Sequence, residues 1–389
     1  MLSPEEFISL FTEATAISPE RGLEMLERLR PRETIFVEGI LAYGYGRLGM
    51  EAKADLHGRK MTGLITDRDI EAARADKAVI ALCELPTGDL AIENGAIRFD
   101  NGHNNIPALL SEAGFDVVHV WASRLDDPRI EKMSRHAVAM VNCYADADME
   151  GVLSLSELHG RIVLNTTEAV TRSRRDRVAK ALGHLQSRNC VIPRTSVAAC
   201  SASELPSAPV IARKPSSHSG HGFALLLSPS DAADALAFEF TYFTEFIDTR
   251  WPDGLYRKCR ILYLCGEVMA EHMMVSDEWC VRSSTARPYM AAHTRTRNEE
   301  LAFLASWRRT HPQIAVLVEE VAQATGLDFF MADLGLTPNG AIILFEANPV
   351  ARIILESELD EEGTHLRDNV LAIRGMFERQ VRMHGERRA

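Results

Sequence analysis

The sequence lacks long apolar runs. No stretch of its 389 residues approaches the roughly 18 apolar residues that a membrane-spanning helix requires. The first residues, MLSPEEFISLF, are acidic and unlike a secretory leader. The expectation is therefore a cytoplasmic chain with no membrane partner. Basic blocks are also missing. The formal net charge is −12 and, although the tail RQVRMHGERRA is locally basic, no Lys/Arg block compensates for it, which argues against a nucleic-acid surface. Cysteine is sparse and unpaired in pattern: seven residues, an odd number with no C-x-x-C, argue against a disulfide framework and a zinc site. The motifs G-x-x-x-x-G-K-[ST], G-x-S-x-G and H-E-x-x-H are absent. A Walker loop, a nucleophile-elbow hydrolase and a zinc protease are thereby set aside. What remains is ordinary globular material, 46% hydrophobic and 25% charged, long enough for two or three domains.

Residues 1–75 read as helical. Ser3-Pro4-Glu5-Glu6 is a helix start, and LEMLERL repeats apolar residues at helical spacing. Gly44-Tyr45-Gly46-Arg47-Leu48-Gly49 is a literal G-x-G-x-x-G, but it follows the helix-like FVEGILAY rather than a strand, so it is no dinucleotide fingerprint. GILAYGYGRLGMEAKA instead resembles half of a tetratricopeptide hairpin, an element that recruits a protein partner. From residue 78 strands alternate with helices (AVIALCEL, IPALLSEAG, DVVHVWA, AVAMVNCY, GRIVLN), the pattern of a Rossmann-like parallel sheet. TEAVTRSRRDRVAKALGHLQ, residues 167–186, then reads as one basic amphipathic helix. Short strands, a β-rich stretch, two helices, a hairpin and a C-terminal helix complete the chain. The fold class is α/β, turning α+β in the later part, with divisions at 1–75, 76–165 and 166–389 and a lid-like subdomain near 187–245.

The hairpin holds the first chemistry. In FMADLGLTPNGAIILFEANPVARI, Thr337-Pro338-Asn339-Gly340 is a turn signal between apolar strands. Asp333 and Glu346 lie on either side of it and come roughly opposite on antiparallel pairing. Glu346 and Asn348, two apart, share a strand face. Three oxygen donors so placed suit Mg²⁺ completed by water and phosphates. The alternative is a strand pair whose acids face solvent or meet an arginine. The second chemistry lies in VIARKPSSHSGHGF. Lys214 ends an apolar strand, and the small-residue loop Pro215–Gly222 lets backbone N–H groups approach a polyphosphate. The alternative there is a flexible hairpin loop.

The order of these features, with a basic helix before them and the strand TEFID between them, resembles the ATP-grasp superfamily of carboxylate–amine ligases over roughly residues 78–370. The resemblance implies an ATP-grasp fold preceded by a Rossmann-like domain. It also implies ATP with Mg²⁺, or Mn²⁺, as cofactors. Asp333, Glu346 and Asn348 would hold the metal. Arg177, Lys214, Ser217, His218, Gly220 and Gly222 would surround the phosphates. Glu245, Phe246 and Ile247 would meet the adenine edge, with Asp253 or Asp248 at the ribose. Arg260 and Arg282 would face the transferred phosphate and the substrate. Two departures stand out. Met331 occupies the place where D-alanine ligases carry an arginine two residues before the metal acid, and Pro349-Val350-Ala351-Arg352 replaces their substrate loop. The implied reaction activates a carboxylate of an amino acid, a peptide or another small molecule as an acyl phosphate and passes it to an amine, releasing ADP and phosphate. A nucleotide-binding scaffold and a phosphotransferase on the same fold are the competing readings.

Overall fold

The computed structural model describes residues 18–29, 50, 78–83, 90–93, 96–99, 105–121, 137–143, 162–187, 189–197, 209–213, 223–228, 242–349, 352–359 and 363–386. Single positions at 38, 41, 45, 52–53, 56–57, 60, 128, 132 and 231 are also described, all helical. The chain divides into two compact units: Met1–Tyr144 with Gly151–Leu164 and Val381–Ala389, and Ala145–Glu150 with Asn165–Gln380. The expected boundary near residue 75 lies outside the described residues.

In the first unit α1 (Pro19–Leu29) opens with Glu20 in its first turn, where a carboxylate suits the helix dipole. Its Glu27 accepts from Tyr45 Oη at 2.6 Å, and the buried His57 meets Glu38 through Nδ1 at 2.7 Å. Of the G-x-G-x-x-G only Tyr45 is described, and it is helical. Strands β1 (Ala78–Cys83), β2 (Leu90–Glu93) and β3 (Ala96–Phe99) follow, β2 and β3 forming an antiparallel pair. Next comes α2 (Ile106–Glu112), which buries Ile106, Leu109 and Leu110 at helical spacing. Gly114, at φ 83°, turns the chain out of α2 and leads it into the buried Phe115. With β4 (Asp116–Trp121), β5 (Ala139–Cys143) and β6 (Ile162–Leu164) the chain builds a parallel sheet in the order β4-β1-β5-β6.

The second unit begins with a correction. Residues 167–186 are not one helix but α3 (Thr167–Arg172), α4 (Arg175–Ala181) and a 3₁₀ turn at Gly183–Leu185. Ser173 Oγ donates to the Val170 carbonyl at 2.7 Å, and Arg174 is extended (φ −53°, ψ 139°), so local side-chain bonding stops the first helix and rephases the second. Thr166 caps α3 by accepting from Ala169 N–H. The short strand β7 (Cys190–Val191) precedes β8 (Thr195–Val197), β9 (Val210–Arg213), β10 (Phe223–Leu226) and β11 (Tyr242–Glu245). Those four make an antiparallel sheet, β10-β9-β11-β8, within the stretch read as lid-like.

The long strands β12 (Tyr256–Leu264) and β13 (Glu267–Ser276) lead into helices α5 (Ser283–Ala292), α6 (Thr294–Thr310) and α7 (Gln313–Thr325). The hairpin β14 (Phe329–Leu336) and β15 (Ile342–Asn348) and the helix α8 (Arg367–Glu386) complete the chain. The central sheet runs β13-β12-β14-β15-β7. On one face Cys259, Ile261, Ala332 and Leu334 are buried, and α7 packs on β12 and β15 with Ile314, Leu317, Val318 and Val321 inward. The outer edge of β13 is covered by side chains. Met273 N–H donates to Glu300, Val275 N–H to Met290 Sδ, and Asn369 Nδ2 donates to the Ala270 and Glu271 carbonyls. An exposed edge is thereby closed to strand addition.

Asn165, left-handed at φ 67°, ties the start of β14 in place. Its Oδ1 accepts from the Asp328 and Phe329 N–H groups, and its Nδ2 donates to the Phe329 and Pro349 carbonyls. Asn165→Ala leaves these buried groups without partners and puts alanine in a conformation asparagine tolerates better. The expected loss is about 3 kcal/mol in chemical denaturation, and a stability equal to wild type would show that Asn165 does not fasten the hairpin.

Candidate active site

The hairpin turn closes on Thr337 and Ala341, with Gly340 at φ 82°. From there Leu336 pairs with Ile342, Gly335 with Ile343 and Leu334 with Leu344. Unbroken, that register would set Asp333 against Phe345 and turn Glu346 to the other face. A bulge intervenes: the register shifts after Leu334, Phe345 is the extra residue, and Asp333 pairs with Glu346 and Met331 with Asn348. Phe345 stays 37% exposed, its ring lying so close over Gly335 that a Cβ there would come 2.5 Å from Cζ. A side chain at 335 would have to push the Phe345 ring aside. A second bulge lies between β12 and β13, where Arg260 pairs with His272 but Ile261 with Ala270, leaving Glu271 as the extra residue. With Arg260 paired to Asp333, one row across four strands reads His272, Arg260, Asp333, Glu346.

The row is knit by ion pairs. Arg260 donates from Nε to Asp333 Oδ1 at 2.6 Å and from Nη2 to Oδ2 at 3.1 Å, a bidentate fork, while Nη1 reaches the Arg352 carbonyl at 3.3 Å. Lys258, two residues before Arg260 on the same strand face, donates to Asp333 Oδ2 at 3.3 Å. Burial works to raise the Asp333 carboxyl, but Arg260 and then Lys258 outweigh it and hold it well below the usual carboxylate range, so Asp333 is ionised. Glu346 Oε1 meets Arg175 Nη2 at 2.6 Å. Arg213, the last residue of β9, stands near this pair; burial first and Arg175 second lower its guanidinium to about 10, with Glu346 opposing them. Beside Arg260, burial pushes the Glu271 carboxyl up to about 7, against the Arg260 charge and the Ile354 N–H that it accepts. Burial, then Arg287 and Arg260, lower His272 well below its ordinary value, which leaves a neutral imidazole.

The other expected residues fall as follows. Arg177 is exposed and donates to the Thr171 carbonyl at 3.3 Å. Two residues apart on an α-helix point to nearly opposite sides, and the rephased α4 turns Arg175, not Arg177, toward Glu346. Glu245 N–H is taken by the Arg194 carbonyl and Phe246 N–H by that of Pro209, whereas Ile247 N–H has no hydrogen-bond partner among the described residues. Asp253 gives both oxygens to the Arg257 fork, which drops its carboxyl below the ordinary value. Arg257 itself stacks 4.1 Å over Trp251. Asp248 accepts from Arg250 N–H. Arg282 sits at the N-terminus of α5, its carbonyl accepting from Ala286 N–H. Lys214, Ser217, His218, Gly220 and Gly222 lie outside the described residues.

Arg175, Arg213, Lys258, Glu271 and His272 escaped the sequence reading. Lys258 was signalled by its two-residue spacing from Arg260. Glu271 and His272 were signalled as polar residues inside the apolar run VMAEHMMV. Arg175 depends on a helix break that periodicity does not register.

Asp333, Glu346 and Asn348 offer two carboxylates and a carboxamide on neighbouring strands. That hard oxygen set fits Mg²⁺, which keeps several water or phosphate ligands. Among the described residues no group of three or more His, Cys, Asp and Glu side chains is arranged to hold a metal, so the set fits an ion shared with a phosphate ligand rather than an all-protein cage. No helix among the described residues is long and apolar enough to cross a membrane.

No protein-family model matches the chain, and no curated protein matches it in sequence. Among solved structures it is similar to biotin carboxylase of Campylobacter jejuni, with a TM-score of 0.44 and 11% identity over 75% of this chain and 70% of that one. It is similar to the RimK-domain ATP-grasp protein of Sphaerobacter thermophilus, with a TM-score of 0.43 and 15% identity over 76% and 99%. The VanG D-Ala:D-Ser ligase of Enterococcus faecalis gives 0.42 and 13% identity over 77% and 100%.

The raised Glu271 carboxyl has a stability consequence. Its folded value of about 7 lies above its ordinary 4.5, so between the two the folded state binds more protons than the unfolded state and stability falls as pH rises. Glu271→Gln keeps an acceptor for Ile354 N–H and removes that dependence. The expected result is a variant that melts higher than wild type above pH 7, the gain vanishing below about pH 4.5. Parallel melting curves from pH 4 to 8 would contradict it.

Proposed function

We propose that this chain is an ATP-dependent carboxylate–amine ligase working through an acyl phosphate with release of ADP and phosphate. The observation that carries the reading is the single row of Arg260, Asp333 and Glu346, with Lys258, Arg175 and Arg213 around it and Asn348 one step along the same face. Oxygen ligands interleaved with cations are what a metal-bound triphosphate needs.

Within this reading each group has a task. Asp333, Glu346 and Asn348 would hold Mg²⁺, which when bound would supply charge neutralisation for the phosphates. Arg260 and Lys258, on the strand next to Asp333, offset the charge of the transferred phosphoryl group and of the carboxylate that accepts it. Two anions repel each other, so these cations lower the barrier by placement alone, with no protein nucleophile. Arg175 and Arg213 serve the phosphates from the side of Glu346, the role first expected of Arg177. Ile247 N–H supplies a donor for the adenine edge, and the exposed Phe345 ring an apolar face for the base. Asp253, tied by Arg257, braces the loop 251–255 rather than the ribose. Residues 1–75 recruit a protein partner.

Glu346→Gln tests the assignment most cleanly, because it keeps the shape of the side chain and removes one ionic ligand. ADP release should drop by about 100-fold or more with circular dichroism unchanged. Full turnover by the variant would sink the reading. Mass measurement of the product separates the alternatives: loss of water between carboxylate and amine marks a ligase, gain of phosphate marks a phosphotransferase, and nucleotide binding without turnover marks a scaffold.

A further inference from the structure

The segment after the hairpin is fastened to the central sheet through its backbone. Arg260 Nη1 donates to the Arg352 carbonyl at 3.3 Å, and Ile354 N–H donates to Glu271 Oε1 at 2.8 Å. These two side chains come from the neighbouring strands β12 and β13. Ile353 and Leu355 are buried, whereas Ser357 and Glu358 are exposed in a 3₁₀ turn over Glu356–Glu358. Arg352 pairs with Glu358 across that turn. Further along, Glu356 accepts from Arg374 at 2.7 Å and from Arg367 at 2.8 Å, both on α8. Residues Arg352–Leu359 thus form a strap, tied to α8 through Glu356 and to the charged row through Arg260.

The tie at Arg260 has a second task. Nε and Nη2 of the same guanidinium fork on Asp333 at 2.6 and 3.1 Å while Nη1 reaches the strap. A guanidinium is planar and rigid, so a turn of the plane that changes one contact changes the other. Asp333 is also an expected ligand of the metal that accompanies the triphosphate. A divalent cation on that carboxylate repels a guanidinium held against the same oxygens, and the phosphates offer the arginine charged acceptors in their place. Among these three contacts the one to the Arg352 carbonyl is the longest and has a neutral acceptor. It is therefore the easiest to give up.

We propose that Arg260 is a switch between the charged row and the strap: when a metal-bound triphosphate enters the row, Arg260 turns from the Arg352 carbonyl to the phosphates, and the strap loosens from the sheet. The proposal rests on the reading of the row as the nucleotide and metal site. Lifting the first residues of the strap breaks the bonds of Arg352 and Ile354 and exposes Ile353. With the Arg260 bond already gone, that opening is easier by one charge-assisted hydrogen bond. A segment bordering the row thereby responds to whether the row is filled, closed in the ligand-free chain and opening more often once nucleotide is bound.

The test uses trypsin on the full chain. Arg352 is itself a cleavage site, and its bond to Ile353 is protected while Ile353 is buried and the carbonyl is held, so the rate of that cut follows the population of open strap. The fragment is identified by mass, hydrogen exchange at the Ile354 and Leu355 amides is followed in parallel, and binding of a fluorescent non-hydrolysable ATP analogue with Mg²⁺ is measured separately. Saturating analogue with Mg²⁺ should speed both the cut and the exchange about tenfold. The cut after the exposed Arg309 on α6 should keep its rate. Arg260→Lys keeps a cation for Asp333 but has no second arm for the carbonyl. Without nucleotide its strap should be cut about tenfold faster than that of wild type, with circular dichroism unchanged. Unchanged or slower cutting and exchange in the wild-type chain with analogue bound overturn the switch, and they decide it alone if Arg260→Lys does not fold. Equal ligand-free rates in wild type and a folded Arg260→Lys overturn it as well, whether or not the analogue binds. Failure of the wild-type chain to bind the analogue overturns the ligase reading instead.

Discussion

The bidentate contact of Arg260 with Asp333, in the middle of the central sheet, is the constraint on which the rest depends. A carboxylate and a guanidinium facing each other across adjacent strands in a largely buried sheet are costly to desolvate unless their geometry is good and further bonds satisfy what remains. Both conditions are met: the fork uses two nitrogens, the third reaches the Arg352 carbonyl, and Lys258 takes the second carboxylate oxygen. Removing either partner would strand the other charge. The sheet is thereby committed to keeping both, and the segment after the hairpin is held to the sheet by the same arginine.

Two bulges make that contact productive. Without the extra Phe345, Glu346 would point toward α7 and the core, and without the extra Glu271 that face of β13 would carry one polar side chain in place of two. A bulge strains nothing when its residue finds a use. Phe345 covers Gly335, and Glu271 accepts from Ile354 N–H. The irregularities of the sheet thus coincide with its charged row, as expected where strands must aim side chains rather than only pack.

Much of this was legible in the sequence. The hairpin announced itself through Thr337-Pro338-Asn339-Gly340 and its apolar flanks, and the distances of Asp333 and Glu346 from the turn put them near each other before any register was known. The parallel sheet of the first unit followed from the alternation of strands and helices after residue 78. What periodicity could not carry were events of a single residue. The break at Ser173 and Arg174 rephases α4, so that Arg175 and not Arg177 meets Glu346; the bulges have no pattern of their own; and Asp253, attractive as an isolated acid, is bound by an arginine four residues later. At Ser173 and Arg174 a local hydrogen bond overrode the helical period from which the single-helix expectation was built.

The charge balance of the row bears on what it binds. Asp333 and Glu346 supply two negative charges, while Arg260, Lys258, Arg175 and Arg213 supply four positive ones. The strip is therefore net positive within a chain of formal charge −12. A site built for a bare divalent cation would show the reverse, an excess of acids with cations kept away. An excess of cations around two fixed acids favours a polyanion that brings its own metal, because the ion satisfies the acids and the phosphates satisfy the arginines at the same time. Neither component is well accommodated alone: the metal would face four like charges, and the phosphates would face two carboxylates. On the proposed reading the row would discriminate for the pair, and the same electrostatics that stabilise the sheet would set which ligand it admits.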